Sequence, residues 1–297
     1  MSYAGSYVAL ITPFVDGRVE EKQLRHLVDF QIDGGTNGIV PCGTTGEAAT
    51  MSEEEQFRVI EVVIDQARGR VPIIAGTGTN DTAKTIKYTK HAKDLGANAA
   101  LIVSPYYNKP TPEGLFQHYR AITDACDLPV VLYNVPGRTA SNMAPEVIIR
   151  LSRIRSIVAV KEASGSIDQT SQIVNETATD FSVLSGDDSL TLPIMSVGGK
   201  GVISVVANIA PRPMAEMTAA FLNGDAARAR EIHLRIFDLC RAMFLDNNPI
   251  AVKTAAGMLG LCSDEVRLPL VAMSEANRKR LAEAIAASPY VQPVVAR

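Results

Sequence analysis

The sequence predicts an α/β protein that forms a (β/α)8 TIM barrel with a C-terminal helical extension. Eight strand-like apolar runs recur over about 210 residues, and a helical pattern follows each of them. After residue 224 the remaining patterns are helical only. We therefore expect a catalytic barrel over residues 1–224 and a helical extension over residues 225–297.

The strand-like runs are rich in valine, isoleucine and other apolar residues, as expected for strands that are buried on both faces of a parallel sheet. Because both faces are apolar, simple alternation of polar and apolar residues is weak in these runs. They are "YVALITPF" (7–14), "GIVPCG" (38–43), "VPIIAGTG" (71–78), "AALIVSP" (99–105), "PVVLYNVP" (129–136), "SIVAVKEAS" (156–164), "FSVLSG" (181–186) and "GVISVVAN" (201–208).

The helical patterns carry recognisable start signals. "SEEEQFRVIEVVIDQA" (52–67) has acidic residues in its first turn and apolar residues at helical spacing. In "PEVIIRLSRI" (145–154), Pro145 is well placed to open a helix. The extension contains three further patterns with cap residues at their starts, over residues 223–244, 248–260 and 274–288.

A doubly wound sheet is the rival architecture. Its dinucleotide fingerprint needs a third glycine, which "GTGTND" (76–81) lacks, so a plain strand-to-helix turn is the better interpretation there. "GGKG" (198–201) precedes the eighth strand, where a helix C-cap fits better than a phosphate site. The missing fingerprint leaves the barrel as the favoured fold, and the C-cap interpretation of "GGKG" gives no indication of a phosphorylated substrate.

Composition excludes several functional classes. The net charge is −3 without a run of Lys or Arg, so nucleic acid is not an expected partner. No apolar run approaches the roughly 20 residues that span a membrane, and the N-terminus lacks a secretory signal pattern. The four cysteines and four histidines are scattered without metal-ligand spacing. We expect a soluble cytoplasmic protein with reduced thiols and no metal.

Lys161 stands at the end of the apolar run in "SIVAVKEASGS" (156–166). Lysine is rarely buried, so the strand could simply stop there and let the side chain reach water. Alternatively, desolvation keeps the amine partly unprotonated and ready to attack a carbonyl group. This stretch alone does not decide between the two.

Polar residues follow most of the predicted strands. In a (β/α)8 barrel the carboxyl ends of the strands meet on one face, which holds the active site. Hydroxyl groups, one lysine and one arginine therefore converge, which suggests amine-based carbonyl chemistry on a small carboxylate. The strand exits are Thr12-Pro13, "GTTGEA" (43–48), "SPYYNKP" (104–110), "YNVPGRT" (133–139), Lys161, "SGDDS" (185–189) and Ile203-Ser204.

Three of these exits have two possible roles each. The glycines of "GTTGE" (43–47) could turn backbone N–H groups toward an anion, or they could form a turn that caps the next helix. Tyr133 could relay protons or serve only for packing. Arg138 could bind a carboxylate with its planar fork or remain a solvated surface residue.

The ordered motifs resemble the dihydrodipicolinate synthase family, one of the pyruvate-dependent class I aldolases and lyases. The resemblance covers nearly the whole chain. It implies that pyruvate condenses with L-aspartate-4-semialdehyde to give 4-hydroxy-tetrahydrodipicolinate, on the path to diaminopimelate and lysine, without a metal or organic cofactor. The motifs are "GTTGE", "SPYYNKPTPEGL", "LYNVPGRT", "VKEASG", "LSGDDSL", "GVISV" and "NPIAVKTA".

The resemblance assigns catalytic roles to four residues. Lys161 would form a Schiff base with the ketone of pyruvate, and Tyr133 would act as the general acid and base. Protons would pass from Tyr133 through Thr44 to Tyr107. In this family that second tyrosine completes the site of a neighbouring subunit, so we expect a homo-oligomer, namely a tetramer built from two dimers.

It also assigns binding roles. Thr45 would hold the pyruvate carboxylate, Gly186 and Ile203 would line the same pocket, and Arg138 would bind the carboxylate of the semialdehyde. A lyase for N-acetylneuraminate or a 2-keto-3-deoxy sugar acid would share the lysine and Tyr133. "YNVPGRT" fits a short carboxylate-bearing aldehyde better than a long polyol. A barrel that has lost catalysis and a phosphate-sugar aldolase or isomerase are less well supported.

A pocket for feedback inhibition by L-lysine is implied only in part. Family members that are inhibited carry an acidic residue where this chain has Lys84, and Glu53 and Gln56 replace the histidines of sensitive enterobacterial forms. Two lysine ammonium groups repel each other. We expect weak or absent inhibition and a vestigial pocket formed by Ala49, Asn80, Lys84 and Tyr106.

Overall fold

The computed structural model describes residues 3–291 and contains a barrel of eight parallel strands. Each predicted strand-like run overlaps one of them, so the predicted fold is confirmed. The strands are β1 (Gly5–Ala9), β2 (Gly38–Val40), β3 (Ile74–Gly76), β4 (Ala99–Val103), β5 (Val130–Asn134), β6 (Ile157–Glu162), β7 (Ser182–Ser185) and β8 (Gly201–Ser204). The sheet runs in the order β2-β1-β8-β7-β6-β5-β4-β3, and a bridge from Ile39 to Ile73 joins its two ends.

Helices surround the barrel and form the extension. Pro145 occupies the start of the helix over Pro145–Leu151, as predicted, and a capping box of Ser52 and Glu55 starts the helix over Glu53–Ala67. The helices are α1 (Glu21–Asp33), α2 (Glu53–Ala67), α3 (Thr82–Asp94), α4 (Pro112–Ala125), α5 (Pro145–Leu151), α6 (Ile167–Glu176), α7 (Thr191–Ser196), α8 (Pro211–Leu222), α9 (Ala226–Ala242), α10 (Ile250–Met258) and α11 (Glu275–Ala287), with a single turn at Pro136–Thr139.

The first strand is shorter than the predicted run over residues 7–14, so that prediction was wrong in its second half. Beyond Ala9 the chain leaves the sheet, because the amide of Ile11 donates to Asn208 Oδ1 at 3.0 Å and Thr12 Oγ1 donates to the carbonyl of Gly46 at 2.8 Å. Phe14–Val15 then pairs with Arg18–Val19 in a small antiparallel hairpin. Side chains therefore end β1, and one of these contacts supports the "GTTGE" loop.

The glycine segments have structural roles. A Cβ atom at Gly76 would collide with the carbonyl group of Cys42, and one at Gly78 with the amide of Val103, so both glycines permit close packing of neighbouring strands. At the end of α7, Gly198 has a φ of 106°, and its amide donates to the carbonyl of Met195. These contacts agree with a turn in "GTGTND" and a C-cap in "GGKG".

The extension packs against the barrel through one continuous apolar cluster. Leu10 and Val59 from the barrel belong to the same cluster as Ile236, Val252 and Leu281 from the extension. The boundary between residues 224 and 225 therefore stays a prediction, because the apolar core runs across it. Within residues 3–291, no helix is both long enough and apolar enough to span a membrane.

Candidate active site

Lys161 lies inside the barrel, on β6 next to Tyr133 of β5. The two residues are register partners in adjacent parallel strands, so their side chains leave the sheet on the same face. Lys161 is only 4% exposed and Tyr133 only 7%. Lys161 Nζ lies 4.4 Å from the centre of the Tyr133 ring. The structure thus brings together the two residues for which the sequence predicted imine formation and proton transfer.

A comparison with the second buried lysine shows how unusual Lys161 is. Lys253 is fully buried, and its Nζ pairs with Glu47 Oε1 at 2.7 Å. No carboxylate in residues 3–291 forms such an ion pair with Lys161. A buried amine without a neutralising carboxylate is typical of a nucleophile rather than of a structural ion pair.

The "GTTGE" loop, which follows β2, presents unpaired amides. In the described part of the chain, the backbone N–H groups of Thr44 and Thr45 donate to no protein acceptor. Thr45 is 2% exposed, and its Oγ1 accepts a hydrogen bond from Asn248 Nδ2 at 3.0 Å. Neighbouring free amides and a hydroxyl group suit a carboxylate, so the anion-cradle interpretation is favoured over a simple cap.

A buried ion pair between Glu47 and Lys253 stabilises this loop. Glu47, separated from the two threonines by Gly46, has a left-handed φ of 55°. Its carboxylate accepts from Lys253 Nζ and, at 3.2 Å, from the amide of Arg267. Burial lowers the pKa of Lys253, and the charge of Glu47 opposes that effect. The extension therefore fixes the conformation of a barrel loop, which the sequence patterns did not predict.

A cavity of about 450 Å³ opens beside the loop. It joins Thr44 and Tyr133 to three residues of the predicted effector pocket, so these two predicted sites are continuous in a single chain. The residues that line it are Cys42, Gly43, Thr44, Ala48, Ala49, Met51, Gln56, Gly76, Gly78, Thr79, Lys84, Tyr88, Leu101, Val103, Tyr106 and Tyr133.

Asn80 is the effector-pocket residue that does not line this cavity; its carbonyl accepts from Asn108 Nδ2 at 2.9 Å. Lys84 Nζ lies 5.3 Å from the centre of the Tyr88 ring. Gln56 Nε2 donates to the carbonyl of Ala48 at 2.9 Å, and Lys87 pairs with Glu53 at 2.6 Å. The charge that faces the cavity from α3 is thus positive.

Arg138 and Tyr107 lie outside the buried cluster. Arg138 belongs to the helical turn after β5, is exposed, and donates from Nη2 to the carbonyl of Asn248 at 3.2 Å. Tyr107 is 89% exposed and has a left-handed φ of 71°, a costly backbone conformation for a tyrosine. The single chain does not bring Tyr107 against Thr44 or Tyr133.

Gly186 directly follows β7, and Ile203 lies on β8. Ile203 is fully buried on β8 and is the register partner of Tyr7 on β1. The amide of Gly186 donates to the carbonyl of Glu162 at 2.7 Å. A Cβ atom at Gly186 would lie 2.6 Å from Ala163 Cβ and 3.2 Å from Lys161 Cε. A larger residue here would therefore collide with Ala163 and crowd the end of the Lys161 side chain.

Replacing Gly186 with alanine should therefore reduce activity. The added methyl group collides with Ala163 and crowds the end of the Lys161 side chain, and a misplacement of about 1 Å can cost on the order of 100-fold in rate. We expect kcat/KM for pyruvate to fall by about 10-fold or more in steady-state assays. Gly137→Ala is the matched control, because a Cβ atom there meets nothing within 4 Å. Equal activity of the two variants would contradict this role.

Asp188, two residues after Gly186, is a buried carboxyl group. Its Oδ2 accepts from the amides of Val205 and Val206 at 3.0 and 2.8 Å, while its Oδ1 has no partner within residues 3–291. Burial raises the pKa of Asp188 to about 6, although hydrogen bonds from Ser204 and Val206 act in the opposite direction. The folded protein therefore retains a proton that the unfolded chain releases near pH 4.

This difference predicts a pH dependence of stability. Because the folded-state pKa is raised, the contribution of Asp188 is complete below the unfolded pKa and disappears as pH rises through about 6. The free energy of unfolding should lose on the order of 3 kcal/mol across that window. Asp188→Asn should flatten the curve measured by urea unfolding, whereas Asp187→Asn at the half-buried neighbour should not. An unchanged slope in Asp188→Asn would refute the assignment.

Comparison with known proteins shows the family to which the chain belongs. The model of the dihydrodipicolinate synthetase family matches residues 2–288. The chain belongs to this family. It is 55% identical to 4-hydroxy-tetrahydrodipicolinate synthase of Thermomicrobium roseum over 293 residues, which are 99% of this chain and 97% of the relative.

Solved structures agree. Dihydrodipicolinate synthase from Aquifex aeolicus is 47% identical to this chain and superposes with a TM-score of 0.94. The match covers 96% of this chain and 97% of the Aquifex chain. The chloride-inhibited enzyme from Acinetobacter baumannii, solved in complex with pyruvate, is 45% identical with a TM-score of 0.95, over 97% and 99% of the two chains. Members of this family are condensing lyases of lysine biosynthesis. The comparisons support that function and give no support to the sugar-acid alternative.

Proposed function

We propose that the chain condenses pyruvate with L-aspartate-4-semialdehyde through an imine on Lys161, and that it needs no organic or metal cofactor. The observation that carries the proposal is the buried, unpaired amine of Lys161 beside Tyr133 and the free amides of the "GTTGE" loop. Among the described residues, no group of three His, Cys, Asp or Glu side chains is arranged to hold a metal ion.

The proposed chemistry begins when the neutral amine of Lys161 attacks the ketone carbon of pyruvate and water leaves. The imine withdraws electrons, so the methyl group loses a proton and becomes a carbon nucleophile. This carbon attacks the aldehyde of the second substrate, whose oxygen takes up a proton. The amine of the adduct then displaces Lys161 intramolecularly, which closes the ring and restores the free lysine.

The residue roles follow from position. Tyr133 exchanges protons during imine formation; its ring packs against the Lys161 amine, and Thr44 lines a cavity together with Tyr133. Thr45 and the loop amides bind the pyruvate carboxylate, with Gly186 and Ile203 lining the pocket. Arg138 binds the carboxylate of the semialdehyde with the donors that Asn248 does not engage.

Proton transfer also requires a second copy of the chain. We propose a homotetramer of two dimers in the cytoplasm, in which the partner subunit's Tyr107 completes the relay through Thr44. The strained and almost fully exposed Tyr107 of one chain supports this role, because a partner surface would bury it. Sedimentation velocity and a Tyr107→Phe variant test assembly and relay separately.

The decisive experiment compares acceptor substrates. Purified protein is incubated with pyruvate and either L-aspartate-4-semialdehyde or a sugar acid, and product formation is followed by mass spectrometry. We expect turnover only with the semialdehyde. Faster turnover of N-acetylneuraminate or a 2-keto-3-deoxy sugar acid would overturn the proposal.

Weak feedback inhibition is a further expectation. Lys84 faces the cavity with an ammonium group, and this charge disfavours a bound lysine side chain. Activity in submillimolar L-lysine should therefore equal activity without it, whereas Lys84→Glu should increase sensitivity. Strong inhibition of the unmodified protein in the same assay would contradict the prediction.

A further inference from the structure

Asn248 joins the extension to both substrate-binding elements of the barrel. Its side-chain Nδ2 donates to Thr45 Oγ1 at 3.0 Å, across 203 residues of sequence. Its backbone carbonyl accepts from Arg138 Nη2 at 3.2 Å. The residue is 7% exposed, and its Oδ1 has no hydrogen-bond partner within residues 3–291. Its buried side-chain amide is thus held by Thr45 alone.

The direction of the hydrogen bond to Thr45 matters. Because Asn248 Nδ2 donates, it occupies an acceptor position of the threonine hydroxyl and leaves the hydroxyl proton free to donate. A free O–H donor beside the free loop amides is what a carboxylate oxygen needs. A donor that is itself accepting a hydrogen bond also becomes a stronger donor.

We propose that Asn248 is a positioning residue for keto-acid binding: its side-chain amide orients the hydroxyl group of Thr45 toward the pyruvate carboxylate. The inference rests on the proposed pyruvate imine and adds a residue to which that proposal gives no role. Asn248 acts only through Thr45 on the first substrate. Its contact with Arg138 uses the backbone carbonyl, so side-chain substitution leaves that contact in place.

This separation gives a selective test. Asn248→Ala should raise the KM for pyruvate by about 5- to 20-fold, as expected for the loss of one hydrogen bond near a charged group. The kcat and the KM for the semialdehyde should stay within about twofold of the wild-type values. Asn248→Asp should be worse, because its carboxylate accepts the Thr45 proton and repels the substrate. Asn247→Ala is the matched control, since the neighbouring asparagine is exposed and its side chain makes no hydrogen bond within residues 3–291.

A double-mutant cycle distinguishes positioning from general support. If Asn248 acts through Thr45, then adding Asn248→Ala to Thr45→Val should not raise KM further. Additive effects, a wild-type KM in Asn248→Ala, or equal losses for both substrates would overturn the inference. Borohydride trapping of pyruvate on the unmodified protein is measured in parallel. Failure of that reaction would reject the proposed function itself, whereas normal trapping with an unaffected Asn248→Ala would reject only the role of Asn248.

Discussion

Replacing Lys161 with arginine is expected to abolish condensation while leaving the protein folded. Arginine keeps a positive charge beside the Tyr133 ring, but it stays protonated in proteins and cannot form the imine. Loss of a covalent nucleophile should reduce kcat by roughly 10⁴-fold or more. The measurement is steady-state turnover of pyruvate and L-aspartate-4-semialdehyde, with thermal unfolding as the check of folding.

Chemical trapping gives an independent readout of the same prediction. Sodium borohydride in the presence of pyruvate should add one reduced adduct per chain, and peptide mapping should place it on the peptide that contains Lys161. Lys161→Arg should give no adduct. Lys200→Gln is the control, because Lys200 precedes β8 at the opposite end of the barrel and donates to the carbonyl of Thr179. An adduct on another lysine, or persistent turnover in Lys161→Arg, would refute the proposed nucleophile.

The second large effect is expected on stability. Lys253→Met leaves the carboxylate of Glu47 buried with only the amide of Arg267 as a described hydrogen-bond donor. Breaking one partner of a buried ion pair costs about 3–5 kcal/mol, because an uncompensated charge remains in the interior. Urea unfolding at a fixed protein concentration should show this loss. Because Glu47 belongs to the same "GTTGE" loop as Thr45, the KM for pyruvate should rise as well.

Removing both charges should be less harmful than removing one. In Glu47→Gln/Lys253→Met no buried charge remains, so the double variant should recover stability relative to Lys253→Met. Lys93→Met is the matched control, since Lys93 pairs with Asp127 on the surface and exposed pairs of this kind contribute little to stability. A loss below about 1 kcal/mol in Lys253→Met would show that the buried pair does not hold the loop.

Much of the barrel was predictable because its signal is local. Apolar runs between turn residues predicted all eight strands, and the cap residues predicted the helices of the extension to within a few residues. The exception is the end of β1, where side-chain hydrogen bonds from distant residues replace the strand ladder. Apolar character alone does not predict where side-chain hydrogen bonds replace the hydrogen bonds between strands.

The site was predictable in part. Lys161, Tyr133 and Thr44 are each recognisable at strand ends, and the barrel topology alone requires that they converge. Asn248 belongs to the "NPIAVKTA" motif and to the start of a predicted helix, and neither pattern indicates its hydrogen bond to Thr45, although a polar residue directly before an apolar helix is a usable signal. Lys253 lies within an apolar helical pattern, which likewise does not predict its ion pair with Glu47.

The sequence by itself determined the barrel, the order of its strands and the lysine at the end of β6. The reason is that strand and helix patterns depend on residues that are close together in the chain. Only the tertiary structure decided that Asn248 bonds to Thr45 and that Lys253 neutralises Glu47. Those contacts join groups 203 and 206 residues apart. The physical reason is that a hydrogen bond or ion pair depends on the positions of two polar groups in space. Local patterns in the chain do not predict which distant groups will be in contact.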